Sequence, residues 1–177
     1  KGAELIRMLE LLLGKEKFFR GINLYIKTFD GIAATTEDLL NSLIKGAFLD
    51  KKYCPFDINR FLNWYYISGT PKVYINQSWD PENSILNVSF HQKLNSETNN
   101  ENIEMVIPIL YSCYSRGKGF MPIVEDNLLI LDENIKNLQI NTIPGEKEPP
   151  VLSIFRGFSA PVAWESDLSI DDYLFLF

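Results

Sequence analysis

The stretch Ile58-Asn59-Arg60-Phe61-Leu62-Asn63-Trp64-Tyr65-Tyr66-Ile67-Ser68-Gly69-Thr70-Pro71-Lys72-Val73-Tyr74-Ile75 is where the sequence changes its period. In its first half Ile58, Phe61, Leu62, Trp64 and Tyr65 recur at the spacing that lines one face of a helix. Asp57 stands where a helix cap is wanted. Gly69 and then Pro71 follow in the order that ends helices. From Lys72 the period is two. Val73-Tyr74-Ile75 reads as a strand, and Leu86, Val88 and Phe90 alternate with Asn87 and Ser89 as a half-buried strand does. Asp80-Pro81-Glu82-Asn83 between them reads as a turn. The expected fold is α+β: an N-terminal α-helical segment over residues 1–70, then an antiparallel β-sandwich over residues 71–165.

Toward the N-terminus the helical spacing continues. Lys1 to Leu13 is apolar almost all round, which predicts a buried helix stopped at Gly14. In a second helix from Lys15, Phe18, Ile22, Tyr25, Ile26 and Phe29 form the expected apolar stripe, ended by the turn Asp30-Gly31. Thr35 with Asp38 three residues on predicts a capping box for a third helix. Leu39, Leu40, Leu43 and Ile44 are its expected apolar face, and Gly46 its stop.

Toward the C-terminus the spacing predicts strands over Glu104–Tyr114, Leu128–Leu131, Ile135–Ile140 and Val151–Trp164. Asn95 to Glu104 reads as a solvated polar loop, and Arg116-Gly117-Lys118-Gly119 as a hairpin tip. Asp171-Asp172 suits the first turn of a helix, where the macrodipole favours acidic residues. The chain opens at Lys1 already in helical spacing and closes in the apolar run Tyr173–Phe177. That predicts a segment cut through helices at both ends, with residues 166–177 the start of a truncated helical domain.

Composition excludes several classes. The 177 residues are 46% hydrophobic and 23% charged, ordinary for a globular chain. The net charge of −6 argues against a basic nucleic-acid surface. Charge divides with the period: residues 1–70 hold ten Lys/Arg and eight Asp/Glu, residues 71–177 seven and fifteen. No run has the length of apolar residues that a membrane span needs. Two cysteines and one histidine build neither a disulfide framework nor a four-ligand zinc site.

Candidate chemistry reduces to structural readings. His91 has no second ligand nearby in sequence and reads as a surface or hydrogen-bonded histidine. Cys54 and Cys113 read as inert thiols of a reducing compartment, with a cytoplasmic location. Asn76-Gln77-Ser78 and Asn87-Val88-Ser89 match the glycosylation pattern, a weak signal in an asparagine-rich chain. Trp64 and Tyr65 fall on the packed side of their helix. Trp79, Tyr111 and Tyr114 are the aromatics a carbohydrate-binding sandwich would need exposed, and core or edge packing is the better reading for each.

Longer words in the sequence carry a resemblance. Lys1-Gly2-Ala3-Glu4-Leu5-Ile6-Arg7-Met8-Leu9, then Phe29-Asp30-Gly31 with Ala33-Ala34-Thr35-Thr36-Glu37-Asp38, then Trp64-Tyr65, Ser68-Gly69-Thr70-Pro71 and Phe155-Arg156-Gly157-Phe158-Ser159-Ala160-Pro161-Val162 resemble, in order, blocks of the M1 zinc aminopeptidases of the aminopeptidase N branch. Leu168-Ser169-Ile170-Asp171-Asp172 resembles the opening of that family's C-terminal helical domain. The resemblance implies that residues 1–70 are the C-terminal part of a thermolysin-like catalytic domain. It further implies an immunoglobulin-like sandwich over 71–165 and removal of N-terminal residues from peptides by the parent protein. It places the family's zinc ligands, general base and transition-state tyrosine before Lys1, so zinc is implied for the full-length protein and none for this chain. Catalytic, cofactor-binding and metal residues are then expected to be absent here. Gly2, Ala3 and Glu4 would be a scaffold beside the active site. The implied partners are peptide substrates and the remaining domains of the same polypeptide, with no nucleic acid and no membrane. Asn63 and Tyr66-Ile67 depart from the family's pattern, and Lys51-Lys52-Tyr53-Cys54-Pro55 has the look of a small insertion. The rival reading is a stand-alone, non-enzymatic β-sandwich interaction module.

Overall fold

A computed structural model describes residues 1–48, 53–95, 103–117 and 121–177. The polar loop expected between Asn95 and Glu104 lies largely outside these residues, as do Lys51 and Lys52 and half of the expected hairpin tip, Lys118 and Gly119. The chain forms two compact units, Lys1–Tyr66 and Ile67–Phe177.

The first unit is helical: α1 Gly2–Leu13, α2 Lys15–Phe29, α3 Thr36–Ala47 and α4 Ile58–Tyr66. In α1 the buried residues are Leu5, Met8, Leu9, Leu12 and Leu13. Ile6 and Leu11 are half-buried and Ala3 is exposed, so this helix buries a face rather than its whole circumference. In α2, Phe18 and Gly21 are buried, whereas Ile26, assigned to the apolar stripe by spacing, is 56% exposed. The face of α2 turns on its glycine. A Cβ on Gly21 would stand 2.5 Å from Leu43 Cα, and one on Gly46 would stand 2.4 Å from Gly21 Cα. Gly46 therefore does not end α3. It lies inside that helix, where a bare backbone lets α2 and α3 touch. Arg20 Nε donates to Gly46 O across the same crossing, at 3.3 Å.

Local signals fix the helix starts. Thr35 and Asp38 form the capping box: Thr35 Oγ1 accepts from the Asp38 N–H at 3.2 Å, and the Thr35 N–H donates to Asp38 Oδ2 at 2.9 Å. Asp57 Oδ1 accepts from the N–H groups of Asn59 and Arg60 at 2.8 and 3.2 Å, capping α4. Phe61 and Trp64 are its buried residues.

The second unit is a sandwich of two sheets: β1 Thr70–Asp80, β2 Ile85–Asn95, β3 Ile107–Ser115, β4 Met121–Leu131, β5 Ile135–Asn141, β6 Val151–Ser153 and β7 Ala163–Ser166, with a terminal helix α5 Ile170–Leu176. One sheet runs β5-β2-β1-β7, the other β4-β3-β6. β1 and β2 pair antiparallel, with Ile75 opposite Phe90 and Trp79 opposite Leu86. Val73, Ile75, Leu86, Val88 and Phe90 face the core from one sheet, and Ile107, Ile109, Val151 and Leu152 are buried in the other. The Asp80 side chain closes the β1–β2 turn by accepting from the N–H groups of Glu82 and Asn83, at 3.0 and 3.1 Å.

Four strand expectations are corrected. The strand expected from Glu104 begins at Ile107, because the Gln92 side chain takes the backbone of Met105. Its Oε1 accepts from the Met105 N–H at 2.9 Å, and its Nε2 donates to the carbonyls of Met105 and Glu133 at 3.0 and 2.9 Å. β4 begins at Met121 rather than Leu128. It is an edge strand, where Pro122 and a polar run are tolerated, and these hide its period. Val151–Trp164 is not one strand. The chain leaves β6, makes a 3₁₀ turn at Arg156–Phe158 and joins the other sheet as β7. That crossover lays β7 parallel to β1, so the sandwich is not wholly antiparallel. In α5, Ser169 and Asp172 repeat the capping box of α3.

Candidate functional site

Gly2, Ala3 and Glu4 form the first turn of α1. Gly2 and Ala3 are exposed and Glu4 is half-buried. A Cβ on Gly2 would meet nothing within 4 Å, so no contact described here demands the glycine. Glu4 sits where the positive end of the helix dipole favours a carboxylate.

The other titratable candidates are closed to chemistry or ordinary. Burial, and secondarily the charge of Glu146, pushes the Cys113 thiol up to about 12. It stays protonated at neutral pH and is no nucleophile. Cys54 is half-buried, and burial raises its thiol too. His91 is exposed, its ring centroid 6.0 Å from that of Tyr74. Tyr111 and Tyr114 are 4% and 5% exposed, so they offer no sugar-stacking platform. Trp79 is half-buried, with its indole nitrogen enclosed and unpartnered. The two glycosylation patterns face each other across β1 and β2, Asn76 opposite Ser89 and Ser78 opposite Asn87. Gln139 Nε2 donates to Asn87 Oδ1 at 2.9 Å.

Among the described residues no three His, Cys, Asp or Glu side chains come together as metal ligands. Among the same residues no helix is long and apolar enough to cross a membrane.

Residue chemistry did not point to the cluster around Arg156. Its Nε donates to Asp126 Oδ1 at 2.6 Å and its Nη1 to Ser153 Oγ at 3.3 Å. The Asp126 N–H in turn donates to Ser112 Oγ at 2.8 Å. The hydrogen bond from Arg156 holds the Asp126 carboxyl below the usual carboxylate range. The one local hint was Gly157, a residue suited to a left-handed turn.

Comparison with known proteins accounts for both units. Residues 1–65 match the peptidase family M1 domain, and residues 69–167 match a domain of unknown function (DUF3458) with an Ig-like fold. The chain belongs to the M1 peptidase family. Aminopeptidase N of Haemophilus influenzae is 30% identical over 98% of this chain and 20% of its own length. Aminopeptidase N of Caulobacter vibrioides is 32% identical over 100% of this chain and 19% of its own. The crystal structure of Legionella pneumophila aminopeptidase A in complex with aspartic acid matches 99% of this chain and 18% of that one, with a TM-score of 0.81 and 30% identity. The chain thus spans about a fifth of the length of the M1 relatives it matches. The M1 match takes in Gly2, Ala3 and Glu4, and the Ig-like match takes in Asp126 and Arg156.

Proposed function

We propose that residues 1–177 are a supporting segment of a zinc aminopeptidase that removes N-terminal residues from peptides. The observation that carries this reading is the match to aminopeptidase N relatives along nearly the whole chain, through both units. In this reading residues 1–70 close the catalytic domain, 71–165 form the Ig-like spacer and 166–177 begin a helical domain. Zinc belongs to the parent polypeptide, held by residues outside this segment; among the described residues no cluster of metal-ligating side chains competes for that role. Gly2, Ala3 and Glu4 then form a scaffold beside the active site. The two free thiols favour a reducing, cytoplasmic setting. The partners are peptides and the rest of the polypeptide, with no role in binding nucleic acid or membrane.

The test is the intact mass of the protein from its native source, with zinc content and an aminopeptidase assay on the same sample. The expected result is a mass several times 20.4 kDa, about one zinc per polypeptide and release of N-terminal residues. A native mass near 20.4 kDa without zinc or cleavage overturns the reading in favour of a stand-alone interaction module.

A further inference from the structure

We infer that the open edge of β5 is a dimer interface, which pairs antiparallel with β5 of a second copy of this chain about a two-fold axis at Leu138. The pairing needs neither zinc nor catalysis, so it stands or falls apart from the proposed activity.

The two sheets end in four edges, β5 and β7 in one, β4 and β6 in the other. An edge presents unpaired backbone groups, and proteins blunt it by shortness, proline, charge or irregularity. β6 is three residues long and follows Pro149-Pro150. β7 is four residues long and carries Glu165. β4 carries Pro122, Glu125 and Asp126, with Asp126 at a left-handed φ of 43°, and its pairing with β3 shifts register. β5 differs from all three. It runs seven residues with no proline and no positive φ, and it pairs with β2 without a shift. Its one charge, Lys136, lies on the face of Leu138 and buried Ile140, where Asp132 neutralises it at 2.8 Å.

The ladder decides which backbone groups are open. The Gln92 N–H donates to Asn134 O at 2.9 Å and the Thr142 N–H to Ser84 O at 2.7 Å, and the two bonds bracket one unbroken register. Bonded and non-bonded pairs alternate in an antiparallel ladder. Lys136, Leu138 and Ile140 therefore turn their N–H and C=O to β2, whereas Ile135, Asn137, Gln139 and Asn141 turn theirs to the open edge. These last residues are all exposed.

A second β5 is complementary to that edge. With Leu138 opposite its own copy, Asn137 falls opposite the second copy's Gln139 and Ile135 opposite its Asn141. Every outward residue of both strands then pairs, giving about eight hydrogen bonds. A slip of two residues either way leaves one outward residue per strand without a partner in the other β5. A slip of one sets outward groups against inward ones. Side chains agree with the register. Asn76, Ser89 and Asn137 form one row across the outer face of the sheet, and Ser78, Asn87 and Gln139 the next. Each is an uncharged amide or hydroxyl, so two copies meet there without like-charge repulsion although the chain carries −6. Both strands are ordered beforehand, so pairing costs less backbone entropy than ordering a flexible peptide on the same edge. Once β5 is paired, only the blunted edges are left, and growth stops at two copies.

The test is sedimentation of the full native polypeptide through the micromolar range, where a monomer–dimer equilibrium without larger species is expected. Asn137→Pro removes an N–H that faces the open edge and no ladder bond within the protomer. It is expected to leave the melting temperature close to that of the parent and to weaken the dimer at least about tenfold. Leu138→Cys tests the register independently. Non-bonded antiparallel partners stand about 4.5 Å apart between Cα atoms, within the span of a disulfide. Mild oxidation is expected to link the two copies through position 138. Ile135→Cys places its two thiols about six residues apart along the paired strands and is expected to give no link. A polypeptide that stays monomeric, or a dimer indifferent to Asn137→Pro, overturns the inference. So does a link at 135 in place of 138, or assembly beyond two copies.

Discussion

The helical unit and the sandwich reach a unique structure by opposite means. In the helical unit the close contact between α2 and α3 depends on side chains being absent, with Gly21 and Gly46 backbone against backbone. In the sandwich, uniqueness depends on polar side chains being present inside it. Gln92 is 3% exposed, yet every hydrogen-bonding group of its amide that the fold encloses has a backbone partner. A helix crossing can satisfy its backbone internally and needs only shape. Where a sandwich core leaves a backbone group off the ladder, a side chain must supply the missing partner.

The contrast breaks first at the crossing. Gly46→Val places a branched side chain where even a Cβ would stand 2.4 Å from Gly21 Cα. The obstacle is backbone, which cannot swing aside, so the helices must part. The expected loss is about 3 kcal/mol, measured by denaturant unfolding. Loss of less than about 1 kcal/mol would mean that the crossing slides freely, and the contrast between the units would fail there.

Gln92→Leu probes the other side with a smaller effect. The side chain keeps its bulk and loses its amide, leaving the Met105 N–H without its acceptor and the Met105 and Glu133 carbonyls without their donor. Unsatisfied buried groups cost about 2 kcal/mol. Amide exchange should show the opening at Met105 and Gln92 first, because the Met105 N–H loses its acceptor and the Gln92 N–H donates to Asn134 O beside it. A neutral substitution would mean that water replaces the amide and that the sandwich needs no internal polar tie.

What the sequence made legible follows the range of each interaction. The capping box of Thr35 and Asp38 spans four residues and could be read directly. Gly21 and Gly46 lie in different helices, and a glycine read alone looks like a stop, which is how Gly46 was misread. Gln92 was within reach: the alternation through Leu86, Val88 and Phe90 puts it on the core face, and only its polarity argued otherwise. β7 lay beyond local reading, since its parallel pairing depends on a crossover set by the left-handed turn at Arg156–Phe158. Residue chemistry pointed to no reactive site. Gly2, Ala3 and Glu4 entered through resemblance, because an exposed first helical turn carries no chemistry of its own to read.

Acid sharpens the contrast with the smallest effect. The Gly21–Gly46 crossing is backbone and carries no carboxylate, whereas the Arg156–Asp126 clamp does. The hydrogen bond from Arg156 depresses the Asp126 carboxyl in the folded chain, against an unfolded value of about 3.9. A depressed carboxylate stabilises the fold fully above that unfolded value, and the contribution fades as pH falls through the folded value. Asp126 is exposed, so solvent keeps the effect small and local. Amide exchange of Phe155–Ser159, corrected for its intrinsic rate, should therefore be level from neutral pH down to about pH 4 and accelerate below it. In Asp126→Asn the loop should exchange faster at neutral pH and show no further acid step. Gly46 should show neither change. An acid step that survives Asp126→Asn would assign the titration to another carboxylate and remove Asp126 as the anchor of the turn.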